Sequence, residues 1–320
     1  MSAARSTALA AVLVVALAAP ALAQTPKAAA PAPAAPADNQ LDLAFGAYQR
    51  GYFLTAFNEA SKLAEKNDPQ AMALLGELYA NGFGVGRDDA KAAQWYQRAA
   101  DRGDREAIFQ LALFRFQGRG GARNRDAGAK LFEAAANLGQ PAAAYNLGLL
   151  YLDGELVPQN FKRAVELFQI GARIGYQEAQ YVLATMYKEG RGLDKDEREA
   201  MRLMGLAAAA GNIDAMVEFA IAQFNGADTA KNEAEAARLF LKAARRGSAI
   251  AQNRLARILM AGRGAPANPV EAIKWHIVAK AGGKGDPELD TYAAKQKPAD
   301  REAAEKAATR WLYTPDGVRP

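Results

Sequence analysis

The chain lacks cysteine altogether and holds one histidine and four serines among its 320 residues. Without cysteine there is no disulfide, no thiolate ligand, no thiol nucleophile and no lipoprotein anchor. Ser2 and Ser6 lie in the leader segment described below, so Ser61 and Ser248 are the remaining serines and His276 is the sole imidazole. A Ser-His-Asp arrangement has almost no raw material. His276 also falls on a phase otherwise filled by Tyr96, Phe132, Phe168, Met204 and Phe240. It is therefore expected in the core, where His276→Phe would be nearly neutral. Long apolar runs are scarce as well. The stretch from Ala8 to Ala19 is shorter than the roughly 20 residues a membrane span needs. Arg5 precedes it and Ala21-Leu22-Ala23 follows it, so residues 1–23 read as a cleaved secretory signal peptide and the mature protein is expected to be periplasmic or secreted. Residues 24–40 are rich in Ala and Pro and read as a disordered tether. The formal charge of +5 falls by one when Arg5 leaves, and an exported, mildly basic chain is not expected to bind nucleic acid.

What the chain has in abundance is glycine at a fixed interval. Gly103, Gly139, Gly175, Gly211, Gly247 and Gly283 recur every 36 residues, and so do Gly82, Gly118, Gly154, Gly190, Gly226 and Gly262. Two phased glycine series imply six copies of a unit made of two helices, each stopped by a glycine, over residues 69–283. In the first copy Ala71, Leu74, Leu75 and Leu78 form one apolar stripe, which predicts a helix from about Pro69 to Asn81. The second helix is predicted to open at Asp88, Asn124, Asn160, Asp196, Asn232 and Asn268, all side chains able to cap a first turn. Glu199, Glu235 and Glu271 stand three residues further on, as in a capping box. A small residue recurs at Ala71, Ala107, Ala143, Ala179, Ala215 and Ala251, where helices are expected to cross closely. A bulky core phase is read at Trp95, Leu131, Leu167, Leu203, Leu239 and Trp275. Residues 41–68 form a partial N-terminal repeat. Residues 284–320 hold capping helices and a tail, with Ala304, Ala307, Ala308 and Trp311 closing the end of the stack.

The segment AAAYNLGLLYLDGELVPQNFKRAVELFQIGARIGY, from Ala142 to Tyr176, resembles the Sel1-like repeat, a relative of the tetratricopeptide repeat. Leu75-Gly76, Tyr79, the GFGV turn, Asp88 and Trp95-Tyr96 carry the same resemblance in the first copy. Arg115, Gln223 and Leu259 replace Tyr79 in copies two, five and six, which are expected to be less regular. The resemblance implies an all-α, right-handed α/α solenoid and a role in protein binding or scaffolding. Cysteine-rich members of that family bind or hydrolyse β-lactams and carry a disulfide in each repeat, and this chain departs from them.

Other chemistry reads as structure. The pairs Gly82/Gly84, Gly118/Gly120, Gly190/Gly192 and Gly262/Gly264 join two helices and lack the GKS or GKT of a phosphate loop. Asp194, Asp196 and Glu197 lie at a helix start, where acids suit the dipole. No catalytic residue, metal site or cofactor is expected. One constellation remains, on the phases of residues 74, 77 and 81, expected to line the inner wall of the curved stack: Gln110, Asn146, Asp153, Thr185, Glu189, Glu218, Asn225, Arg254 and Arg257. Phe109, Tyr145 and Tyr181 lie on an adjacent phase, in the core or on the groove floor. Polar groups with aromatics along a groove suit a protein or peptide partner in the envelope, for which the resemblance offers the periplasmic domain of a sensor kinase in exopolysaccharide signalling. A carbohydrate or peptidoglycan binder is the alternative reading, and a cell-wall or β-lactam hydrolase a third.

Overall fold

A computed structural model of the protein describes residues 39–314. Residues 1–23, read as a signal peptide, residues 24–38, read as a tether, and the last six residues lie outside the described residues, while Asn39 and Gln40, read as the end of the tether, open the first helix. Among the described residues there are sixteen α-helices and no strand. They fall into two compact units, one ending at Gly171 and one beginning at Ala172. Unit 1 holds α1 (Asn39–Gln49), α2 (Phe53–Glu65), α3 (Pro69–Asn81), α4 (Asp89–Ala100), α5 (Arg105–Gln117), α6 (Arg125–Asn137) and α7 (Pro141–Asp153), with α8 (Phe161–Arg173) at its end. Unit 2 holds α9 (Gln177–Glu189), α10 (Glu197–Ala210), α11 (Ile213–Asn225), α12 (Glu233–Arg245), α13 (Ala249–Ala261), α14 (Pro269–Ala281), α15 (Pro287–Ala294) and α16 (Pro298–Tyr313). From α1 to α7, and again from α9 to α14, each helix packs on the next in sequence, and α16 packs on α14.

The helix boundaries follow from local chemistry. Asp88, Asn124, Asn160, Asp196, Asn232 and Asn268 each accept a hydrogen bond from a backbone N–H in the first turn of the second helix. The capping box is not completed. In each copy the N–H of the capping residue is donated to a carbonyl of the preceding helix, at Tyr79, Arg115, Tyr151, Tyr187, Gln223 and Leu259, over 2.8 to 3.0 Å. That donor is thus satisfied before a carboxylate can reach it. Glu199, Glu235 and Glu271 turn outward instead and pair with Arg202, Arg238 and Lys274. The same bond corrects the expectation that copies two, five and six are less regular: it uses only the backbone, so arginine, glutamine or leucine serves as well as tyrosine.

The core lies where first and second helices cross. Ala71, Ala107, Ala143, Ala179, Ala215 and Ala251 are all fully buried, leaving room only for a methyl group at the crossing. The bulky phase needs a correction. Leu167, Leu203 and Trp275 are buried as expected, but Trp95, Leu131 and Leu239 are only half-buried, whereas Tyr96, Phe132, Phe168, Met204, Phe240 and His276 are all buried. The two phases sit 100° apart on the helix, and the second points straight at the partner helix.

A recurrent ion pair joins each of several second helices to the turn of the repeat that follows. Asp89 meets Arg119 at 2.7 Å and Arg125 meets Glu155 at 3.5 Å in unit 1, and Glu233 meets Arg263 in unit 2. The spacing is thirty residues each time, and in the middle pair the signs are exchanged. Arg119, by its hydrogen bonds, holds the Asp89 carboxyl down at about 2 against the opposing effect of burial.

At the C-terminal end Trp311 is buried against Trp275, ring centroids 5.0 Å apart and inclined at 67°. His276 is in the core as expected, but not as an inert filler. Its Nε2 lies 2.8 Å from Oδ1 of Asp290, which also accepts from Lys280 at 2.8 Å, so the imidazole ties α14 to α15. Phenylalanine fills the volume and loses the tie. His276→Phe is accordingly expected to lower the melting temperature by several degrees, where near-neutrality was expected from the residue pattern; differential scanning calorimetry beside Ile273→Val calibrates the effect.

Candidate functional site

The polar residues expected on one wall have distinct environments in the two units. In unit 1, Asp153 is exposed at the end of α7. Gln110 is half-buried and donates to Glu106 at 2.9 Å. Asn146 is only 6% exposed and donates to the Ala142 carbonyl one turn back, so it is a buried helix residue and not part of an accessible wall. On the same phase Leu74 is 1% exposed, so in unit 1 the first and third copies bury a position that the second copy leaves half-exposed at Gln110. Two neighbouring carboxylates were missing from the sequence reading. Glu77 accepts from the Tyr48 hydroxyl at 2.5 Å, and Glu106 accepts from Gln110 and from Gln140. Burial raises the Glu77 carboxyl, the Tyr48 bond acts in the opposite sense, and the charge of Glu106 raises it further.

In unit 2, Glu189 is exposed at the end of α9 and pairs with Arg191 at 3.5 Å. Glu218 accepts from the Tyr181 hydroxyl at 2.9 Å and from Lys188 at 3.4 Å. Thr185 donates to the Tyr181 carbonyl within α9. Phe109 is buried against Phe132, so it belongs to the core, while Tyr145 and Tyr181 are half-buried.

Asn225, Arg254 and Arg257 come together. They line a cleft of about 330 Å³ between α11, α13 and the start of α15. Its floor is apolar: Ile221 and Phe224 from α11, Phe240 from α12, Ile258 and Met260 from α13. Arg263 and Glu288 complete the rim. Arg257 is held by two carboxylates, Nε to Asp286 at 2.6 Å and Nη1 to Glu288 at 2.9 Å. The Arg263 guanidinium lies 4.8 Å from the Phe224 ring centre. Arg254 is exposed and has no hydrogen bond or ion pair among the described residues.

Asp286 locks the cleft wall. It caps α15 by accepting from Glu288 and Leu289 backbone N–H groups, and it accepts from Asn253 and Arg257 on α13. Burial pushes its carboxyl up, but the bonds from Arg257 and Asn253 and the Arg257 charge together outweigh this and hold it at about 2. A carboxyl depressed in the folded state adds stability that is complete above its unfolded value of about 3.9 and lost as pH falls toward the folded one. Docking of α15 is therefore expected to weaken between about pH 4 and pH 2. Hydrogen exchange of α15 amides across that range checks it, and Asp286→Asn is expected to flatten the profile.

The remaining candidates for chemistry are occupied. Ser248 caps α13 by accepting from Ala251, and Ser61 donates to the Phe57 carbonyl, so neither hydroxyl stands beside His276. No helix of the described residues is long and apolar enough to cross a membrane.

The family model for the Sel1 repeat matches the chain six times in succession, over residues 69–104, 105–140, 141–176, 177–212, 213–248 and 249–284. The chain belongs to the Sel1 repeat family. Its fold is the all-α solenoid of that family. A Sel1 repeat protein from Oxalobacter formigenes is similar, with 27% identity and a TM-score of 0.69 over 76% of this chain and 99% of that one. A protective antigen of uropathogenic Escherichia coli with an SLR fold is similar at 25% identity and a TM-score of 0.54, over 85% of this chain and 68% of that one. No protein of curated function matches the sequence. Sel1 repeat proteins are in general scaffolds for protein–protein interaction, and the Sel1 helices α11 and α13 are the ones that present Asn225, Arg254 and Arg257.

Proposed function

We propose that the protein is a non-enzymatic scaffold of the bacterial periplasm that binds a protein or peptide partner on the exposed polar faces of its repeats, the periplasmic domain of a sensor kinase being one such partner. The observation that carries this reading is the cleft of unit 2, where an apolar floor lies under a rim of Asn225, Arg254 and Arg257. An apolar anchor site with a few convergent polar groups suits a macromolecular segment. The A-x-A site after a short apolar run supports export.

Crosslinking and pull-down from the cell envelope with the full chain tests the reading. A specific protein captured in amounts that follow the bait supports it; a glycan or no partner overturns it. Asp153 and Glu189 are exposed, so reversing both to lysine is expected to shift stability by no more than about 0.5 kcal/mol. Each reversal on its own is expected to weaken capture of a partner docked on that unit, through like-charge contact worth several kcal/mol. Thermal melts recorded beside the pull-down separate the two effects.

A further inference from the structure

We propose that the cleft of unit 2 binds an acidic peptide segment, one in which a carboxylate side chain neighbours a bulky apolar one. The inference rests on the scaffold reading and assigns the chemistry of what is held. Three guanidinium groups, Arg254, Arg257 and Arg263, line the cleft against a single carboxylate, Glu288. Their availability differs. Arg254 has no partner among the described residues and offers a full bidentate face. Arg263 is bound to Glu233, but Lys231 also reaches Glu233, at 3.1 Å, so that carboxylate stays neutralised when Arg263 turns to a ligand. Arg257 keeps Asp286 through Nε and meets Glu288 through Nη1.

Glu288 is the informative residue. Its side chain is 62% exposed, it projects from the first turn of α15 onto the cleft, and its carboxylate already occupies one donor face of Arg257. It thus stands where a ligand carboxylate would stand and competes with it. The floor supplies the second half of the recognition: Ile221, Phe224 and Ile258 take an aromatic or branched side chain beside the anion. A cleft of about 330 Å³ lies at the lower end of ligand-sized sites, room for a short anchor of a longer chain. A cationic segment meets three guanidiniums, and a neutral one leaves Arg254 unpaired.

The test uses the full chain and fluorescent peptides that share one flanking sequence and differ at a central Glu-Phe-Asp-Leu, Gln-Phe-Asn-Leu or Lys-Phe-Lys-Leu, read by polarisation. The acidic peptide is expected to bind at least about tenfold more tightly than the neutral one, with the preference falling as salt rises. Arg254→Glu is expected to erase the preference, and Arg254→Gln to reduce it; both sit at an exposed position, and melting curves verify the fold. Glu288→Gln is expected to tighten the acidic peptide several-fold, the opposite of what a generally disturbed wall gives. Equal binding of the acidic and neutral peptides, or an unchanged affinity in Glu288→Gln, overturns the proposal. If that happens while the envelope pull-down still captures a protein, the scaffold reading stands and the cleft is not its acidic-peptide site; if the pull-down fails too, both fall.

Discussion

Replacing Gly264 with alanine is expected to destabilise unit 2 by roughly 2 to 4 kcal/mol, the sum of backbone strain and overpacking. Two independent costs coincide there. The residue has φ +78°, where a side chain is strained, and a Cβ would lie 2.2 Å from the Glu233 carbonyl oxygen and 2.7 Å from its carbon. Those are backbone atoms at the start of α12, so no side-chain rotation relieves the overlap, and the turn after α13 must lift. Gly139 has the same φ of +78°, yet the nearest atom to its Cβ position is the end of the Arg105 side chain at 3.8 Å. Gly139→Ala therefore keeps only the conformational term, about 1 kcal/mol. Urea unfolding of the two variants beside the unmodified protein reads the difference. A larger loss for Gly139→Ala than for Gly264→Ala would show that the close approach at Gly264 is absorbed without cost.

The other large effect is at the C-terminal end. Trp311→Ala is expected to cost about 3 to 5 kcal/mol, the range for truncating a buried aromatic. Trp311 is 2% exposed and carries the contact of α16 with Trp275, which is itself 1% exposed. Lys274 lies over both rings, at 4.6 and 5.6 Å, so removing one indole also strips an ammonium of half its aromatic cradle. In a repeat stack each helix pair is stabilised by its neighbours, and a lost cap unfolds the adjoining pair first. Hydrogen exchange is expected to show α14 and α16 losing protection while α9 and α10 keep theirs. Uniform loss of protection over all of unit 2 would mean that the unit opens as one body.

The fold was legible because its instructions repeat. A capping side chain at Asp88 or Asn268, a stop at Gly82 or Gly262 and a methyl at Ala71 or Ala251 each act locally, and six copies of the same local instruction reinforce one another. The errors arose where a local rule was overtaken by a contact made across the repeat. Glu271 looked like half of a capping box, but the N–H it would have met was already bonded to the Leu259 carbonyl. Asn146 looked like a surface amide, but it is buried and its amide is satisfied within the helix by the Ala142 carbonyl, which a phase count does not reveal. The cleft was legible in part. Asn225, Arg254 and Arg257 follow from phase alone, whereas Asp286 and Glu288 lie beyond the last repeat, where the period no longer says which side chain faces which. Arg263 had a readable signal in the thirty-residue spacing to an opposite charge at Glu233, repeated by Asp89 and Arg119.

The exchanged signs in the middle of that series give the repeats an address. Asp89 faces Arg119, and Arg125 faces Glu155, so each of these two joints pairs with the turn that follows it and would meet a like charge in the turn after next. Excising residues 105–140 as a whole cassette would leave the caps, glycine stops and buried methyls of the remaining copies in phase, yet it would bring Asp89 opposite Glu155. Like charges at one partly exposed joint cost little in folding free energy, on the order of a few tenths of a kcal/mol. The second repeat is thereby distinguished from its neighbours by charge though not by shape, and an array shortened at that repeat carries the mismatch as a mark of the cut.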